Sequence, residues 1–474
     1  MVKRNLPKRT PSKRNLLKRT LLAAALSCAL PLPALAATDA ELAAELLKMR
    51  AEFDQKLKDM QSAYEAKLKE MESRVVQDRG TQAAAATSTT TESRGNEFNP
   101  ELSLVLAGSY TQRKGGERHI TGFLAGGHDH GGSRGFNLDH SELTLGANID
   151  PTLRGYANIA FADGEAEVEE AWFQTLALGN GLSIRGGRFL SGIGYANEQH
   201  PHAWDFADNS LMYSALFGEH LAQDGLQVKW LAPTEKFIEL GAEIGRGANF
   251  PGSDDGGNKN GAGAWSVFAH IGDDVGESSS WRAGLSYLSA RPENRSSIVD
   301  DIGDIEAETL FSGTSKTWLA DFVWKWAPDG NPKARNFKFQ TEYFRRNESG
   351  DMNCDDADPA VASACTGGVA STYNARQSGW YAQGIYQFMP RWRVGLRYDR
   401  LDSGRIDFGA NNANLPVADY HPNKWSLMAD YSPSEFSRFR MQLAQDRSMQ
   451  GSPDNSQITL QYVHSLGAHG GHKF

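Results

Sequence analysis

The chain has 474 residues, of which 48 are glycine and 10% aromatic, and carries a formal net charge of −9 at pH 7. That length fits one large β domain with an appendage. Mean hydropathy is −0.51 and no apolar run reaches the ~18 residues of a spanning helix, which excludes helical membrane spans; the acidic balance disfavours nucleic acid as a partner.

Residues 1–36 hold eight of the 49 basic residues, from Lys3 to Arg19, and no acidic one, followed by LLAAALSCALPLPALA. A basic start, an apolar stretch and Ala34-Leu35-Ala36 predict a secretory signal peptide. Its removal leaves 41 basic residues against 58 acidic, a net charge of −17.

Residues 38–78 predict a coiled-coil oligomerisation stalk. LLKMRAEFDQK, LKDMQSAYEAK and LKEMESRVVQD repeat every eleven residues, aligning Leu46, Leu57 and Leu68, then Met49, Met60 and Met71. An eleven-residue period is about 3.67 residues per turn, a straight or slightly right-handed coiled coil. Residues 79–99, RGTQAAAATSTTTESRGNEFN, show no apolar period and read as a flexible linker.

From residue 100 to 474 the period becomes two. Leu143, Leu145, Ala147 and Ile149 alternate with Glu142, Thr144, Gly146 and Asn148, and the pattern recurs in Trp281 to Tyr287, Trp318 to Trp324 and Trp392 to Tyr398. This predicts strands at 101–113, 136–150, 154–163, 166–178, 182–192, 224–232, 237–249, 264–273, 280–290, 315–327, 337–348, 378–389, 392–403, 423–432, 437–448 and 456–468. Tight turns such as Gly179-Asn180-Gly181 alternate with long polar connections at 114–135, 193–223, 250–263, 291–314, 349–377 and 404–422. Apolar residues out, polar residues in, and turns alternating with long loops predict an all-β, antiparallel transmembrane barrel of about sixteen strands. A soluble sandwich would have to expose Trp, Phe and Tyr on nearly every strand.

In SQITLQYVHSLGAHGGHKF, Ile458, Leu460, Tyr462 and Leu466 share one face. The closing Phe474 resembles the end signature of Gram-negative outer-membrane proteins, which implies a barrel in that membrane with the N-terminal stalk in the periplasm. The stretch IRGGRFLSGIGYANEQHPHAWDFADNSLMYSALFGEHLAQDGLQVKWLAP resembles the phosphate-selective porin O and P type superfamily. That resemblance implies a homotrimeric diffusion channel for small hydrophilic solutes, with the loop after the fifth strand folded inward as a constriction; no cofactor and no catalysis are expected. Some porins for sugars or dicarboxylates also carry an N-terminal periplasmic coiled coil.

A pore selects by width and by charged side chains on its wall. Inward parity gives Lys229, Arg282, Lys338, Arg393, Arg397, Arg438 and Arg440 against Glu142, Glu342, Asp321 and Asp399. The basic tilt predicts anionic solutes, with Arg282, Lys338, Arg393, Arg397, Arg438 and Arg440 as pore-lining residues. A competing reading takes His128 and His130 in the first loop and His200 and His202 in the constriction loop as ligands for zinc or another divalent metal. Ser191, His200, His202 and Asp205 could compose a hydrolytic constellation, although no nucleophile spacing supports it. Cys354 and Cys365, both in ESGDMNCDDADPAVASACTGG, predict a disulfide that pins a loop in an oxidising compartment.

Overall fold

The computed structural model describes residues 101–114, 120–124, 134–162, 164–417, 419–451 and 455–467, all within the unit Asn96–Phe474. The predicted signal, stalk and linker lie outside the described residues, as do His128, His130 and Phe474. Sixteen antiparallel strands follow in order. They are β1 (Glu101–Arg113), β2 (Gly135–Leu138 with Ser141–Asp150), β3 (Leu153–Ala162), β4 (Glu165–Thr175), β5 (Leu182–Leu190), β6 (Ala222–Leu231), β7 (Phe237–Gly245) and β8 (Ala264–Val275). The second half comprises β9 (Ser279–Ala290 with Arg295–Asp300), β10 (Glu306–Trp326), β11 (Asn336–Asp356), β12 (Val369–Met389), β13 (Trp392–Asp407), β14 (Asn423–Ser434), β15 (Ser437–Arg447) and β16 (Ser456–Gly467). Two strands are interrupted, but both pieces of β2 pair with β1 and both pieces of β9 pair with β10, so each crosses once.

The sheet closes on itself because β1 is paired on both edges: Ser103 stands opposite Thr144 of β2 and Gly467 of β16. Closure leaves no strand edge to be satisfied, which the interior of a membrane requires. The outward face is the predicted apolar one. Leu226, Val228 and Trp230 are exposed while Gln227 between them is 2% exposed, and Leu427, Met441, Leu443 and Leu460 continue the belt. A belt of bare Leu, Val, Trp and Phe around the circumference is stable only against lipid. Tight turns close one end. At Gly179-Asn180-Gly181 the third residue has φ 75°, and a Cβ there would lie 1.9 Å from the Leu231 carbonyl oxygen, so the turn needs glycine.

At the other end the structure departs from the expected loops. The connections predicted over 291–314 and 349–377 are largely strand, because β10, β11 and β12 each run for 21 residues, well beyond the roughly 9–11 that cross a bilayer. These extensions have an apolar core of their own in Phe311, Met352, Tyr373, Phe408 and Leu415. The Asp, Ser and Ala-rich composition around these few residues hides their spacing. Cys354 at the end of β11 is bonded to Cys365 with 5.4 Å between Cα atoms, and both are fully buried in this cluster. Alongside, Asp301 accepts hydrogen bonds from the Ala364, Ile305 and Gly303 amides, which hold its carboxyl below the usual range.

Candidate functional site

The interior of the barrel is built around residues 191–221, the connection between β5 and β6. This segment turns inward at Gly194, whose φ is 67° and whose Cβ would stand 2.5 Å from Glu342 Oε2. Glu342 on β11 accepts from the amides of Tyr195 and Ala196 at 3.1 and 3.0 Å and from the hydroxyls of Tyr213 and Tyr381. Ser210 then starts the helix α1 (Leu211–Phe217), its hydroxyl accepting from the Tyr213 amide, and Gly218 ends it in the left-handed conformation. One face of α1 is apolar, and it meets an apolar patch of the inner wall: Phe268, Leu288, Leu319, Phe344, Tyr381 and Leu401 pack with Leu211, Met212, Tyr213, Leu216 and Phe217. An apolar wall patch inside a charged lumen was not expected from parity. Its sequence signal is the occurrence of Leu and Phe at inward positions of β8 to β13.

The six predicted wall cations all contact this loop. Arg282 donates to the Gly194 carbonyl at 2.7 Å, Arg438 to that of His202 at 2.6 Å, and Arg440 to that of Trp204 at 2.9 Å. Lys338 and Arg393 pair with Asp205, and Arg397 pairs with Asp208 at 2.7 Å. Lys424 also pairs with Asp208. On the wall itself Arg397 bonds Asp399 at 3.0 Å, while Arg440 and Arg393 converge on Asp430 at 2.8 and 2.5 Å. Arg397 and Arg440 are only 2% and 3% exposed. The local charge count therefore changes: Asp205 and Asp208, which strand parity does not weigh, offset much of the expected positive surplus. Their partners are remote in sequence, 188 positions apart for Asp205 and Arg393, so no local pattern announces the pairing.

Beside this latch, towards the tight-turn end, lies a cavity of about 530 Å³ lined by Lys325, Lys338, Arg393, Asp205, the turn Asp274–Ser280 and the turn Trp326–Pro332. Its charged lining is two lysines and an arginine with three carboxylates, Asp205 from the loop and Asp274 and Glu277 from the turn.

On the opposite wall the loop meets carboxylates. His200 Nδ1 lies 3.0 Å from Glu169 Oε2 and 3.5 Å from Glu142 Oε2, and its Nε2 lies 3.0 Å from Glu170 Oε2. His202 Nδ1 contacts Glu142 Oε1 at 2.7 Å, and His140 Nε2 contacts Glu169 Oε1 at 2.7 Å. Sequence reading named His200 and His202 but not Glu169, Glu170, His140 or His220. For the two glutamates the reason is a bulge in β4. Asn158 pairs with Glu170 and Ile159 with Val168, so Glu169 is an extra residue, and two successive carboxylates turn inward where strict alternation would send one to lipid. Ser191, by contrast, donates to Glu243 at 2.5 Å, and Asp205 is engaged by Lys338 and Arg393. The four residues of the hydrolytic constellation thus serve three separate sets of partners.

No protein-family model matches the chain. Among solved structures, it is similar to an anion-selective porin from Comamonas acidovorans (9% identity, 78% of this chain and 100% of that one, TM-score 0.47). It is also similar to the outer membrane channel DcaP of Acinetobacter baumannii (12%, 80% and 100%, TM-score 0.46) and to OmpT, an outer membrane protein of Vibrio cholerae (11%, 78% and 99%, TM-score 0.46). In sequence it is 31% identical over 407 residues, 80% of either chain, to an uncharacterized protein of Aquifex aeolicus (strain VF5), and it belongs to one family with that protein.

Proposed function

We propose that this protein is an outer-membrane channel of porin type that lets small hydrophilic solutes diffuse, anions ahead of cations, and that it catalyses no reaction. The observation that carries the reading is the closed barrel with a lipid-facing apolar belt and a charged inner wall, into which residues 191–221 fold as a constriction. Anion preference rests on the basic side of the inner wall, where Arg282, Lys338, Arg393, Arg397, Arg438 and Arg440 all meet the loop; the cavity beside them balances Lys325, Lys338 and Arg393 against Asp205, Asp274 and Glu277. The resemblance of the stretch from Ile184 to Pro233 to phosphate-selective porins supports the same class of solute. Purified protein in planar bilayers under a KCl gradient is expected to show steps of conductance and a zero-current potential of the anion-selective sign. The preference should fade as the screening length falls from about 30 Å at 0.01 M to about 3 Å at 1 M salt. Cation selectivity at low salt overturns the solute class, and absence of conductance overturns the channel.

We further infer a homotrimer with its stalk in the periplasm. The eleven-residue repeats over Leu46 to Asp78, outside the described residues, support it by offering apolar positions at fixed spacing to a second and third helix. Deleting residues 38–78 should leave the barrel folded, seen as the heat-dependent shift of its gel migration, while weakening the oligomer captured by cross-linking. An unchanged oligomer after the deletion removes the stalk from assembly.

A further inference from the structure

We propose that the His and Glu cluster on the inner wall is a binding site for one first-row divalent cation of the zinc type, with His140, Glu142, Glu169 and His200 as its ligands. The site does not depend on whether the barrel conducts. The donors come from three parts of the wall and loop: His140 just before the second piece of β2 and Glu142 within it, Glu169 at the bulge of β4, and His200 on the constriction loop. Ligand atoms of His140, Glu142 and Glu169 all lie within 4.8 Å of one another. His200 Nδ1 comes within 3.0 Å of Glu169 and 3.5 Å of Glu142. Around a tetrahedral zinc with bonds of about 2.0–2.2 Å, neighbouring donors stand about 3.4 Å apart; His200 and Glu142 are already at about that separation, and the 2.7 Å contact of His140 with Glu169 opens to admit an ion.

The chemistry of the donors selects the ion. Two imidazoles and two carboxylates suit zinc and its neighbours; calcium and magnesium take oxygen, and no sulfur is present to favour a softer metal. Charge supports occupancy as well. Glu142, Glu169 and Glu170 are 0%, 8% and 7% exposed, and three carboxylates packed together away from water require positive charge nearby. A divalent ion bound by two of them is neutralised in place.

The surroundings resemble a built site rather than a chance cluster. The Nε2 of His200 faces Glu170 Oε2 at 3.0 Å, and Glu170 is itself fixed by the Leu190 amide and by Trp172 Nε1, each donating to its Oε1. A histidine that gives one nitrogen to metal and the other to an oriented carboxylate is the usual outer-shell arrangement of metal-bound imidazole. Asn158 donates to Glu142 Oε2 at 2.8 Å, while its own Oδ1 has no hydrogen-bond partner and the residue is 1% exposed. His220 places Nε2 3.6 Å from Glu169 Oε1, and its buried Nδ1 has no hydrogen-bond partner. These two polar atoms are open to the cluster's further partners.

Bound there, the ion joins the constriction loop to the wall opposite the arginine latch. The test is zinc binding to chelator-treated protein in detergent by titration calorimetry, with cobalt as an optical probe of coordination. The background carries His128→Ala, His130→Ala, His469→Ala and His472→Ala, so that the paired histidines of the first loop and of the C-terminus supply nothing. One ion per chain is expected. Glu169→Gln and His140→Ala should each abolish the tight phase, and Glu170→Gln, which alters only the carboxylate behind His200, should weaken it about 10-fold to 100-fold. Heat-dependent gel migration reports whether each variant retains its barrel, and Glu170→Gln keeps the test valid should a ligand variant misfold. No saturable binding at one ion per chain, or equal affinity in folded Glu170→Gln and His140→Ala proteins, overturns the site.

Discussion

Replacing Asp205 and Asp208 together by Asn is expected to raise single-channel conductance and to move the zero-current potential strongly towards anions. Asp205 is the partner of Lys338 and Arg393, and Asp208 of Arg397 and Lys424. The same two carboxylates take side-chain amide donors from Gln383 and Gln442. Removing one member of a buried ion pair costs about 3–5 kcal/mol because the other charge is left unmatched. Here two anchors are lost from one loop, so its docked position weakens, while the barrel is held by ladders the change does not touch. Two negative charges also leave the lumen, and the guanidinium groups of Arg393 and Arg397 keep only Asp430 and Asp399 on the wall. Both consequences act in the same direction for anions: a wider path and a more positive one. If conductance and selectivity in planar bilayers match the unsubstituted channel, neither carboxylate anchors the constriction.

The barrel was legible because its signals are local. A strand seen by lipid on one face and water on the other must alternate, and Trp392, Val394 and Leu396 against Arg393 and Arg397 display that alternation within six residues. Inward placement of the six cations followed from parity alone. What parity could not show is who meets them. Asp208 reaches Lys424 across 216 positions, and such a contact leaves no spacing in the sequence. The Glu169 bulge was hidden for another reason: a strand with one extra residue violates the periodicity by which strands are recognised. Strand ends at β10 to β12 are not legible because their composition is as polar as that of a loop. In those extensions only one residue in two needs to be apolar, and Phe311, Met352 and Tyr373 suffice to give them a core.

Truncating Phe344 to Ala should loosen the constriction without changing its charge, and so separate packing from electrostatics. Phe344 projects from β11 into the lumen, is fully buried, and holds Tyr213 and Phe217 of α1 at ring-centre distances of 5.1 and 5.0 Å in edge contacts. Its backbone stays in register with Gly379 and Leu319 whatever its side chain, so closure of the barrel is not at stake. Loss of such a ring costs about 3–5 kcal/mol through lost burial and the cavity left behind, and each 1.4 kcal/mol shifts an equilibrium about tenfold. Docked and undocked loops would then exchange, seen as larger and noisier conductance steps. The anion-to-cation permeability ratio should stay close to that of the unsubstituted channel, because Asp205, Asp208 and the wall cations all remain present. Phe344→Leu, which refills most of the volume, should restore quiet steps. Quiet, unchanged steps in Phe344→Ala would mean that the ion pairs hold the loop alone; a changed permeability ratio would mean that α1 itself, and not the charged latch, sets which solutes pass.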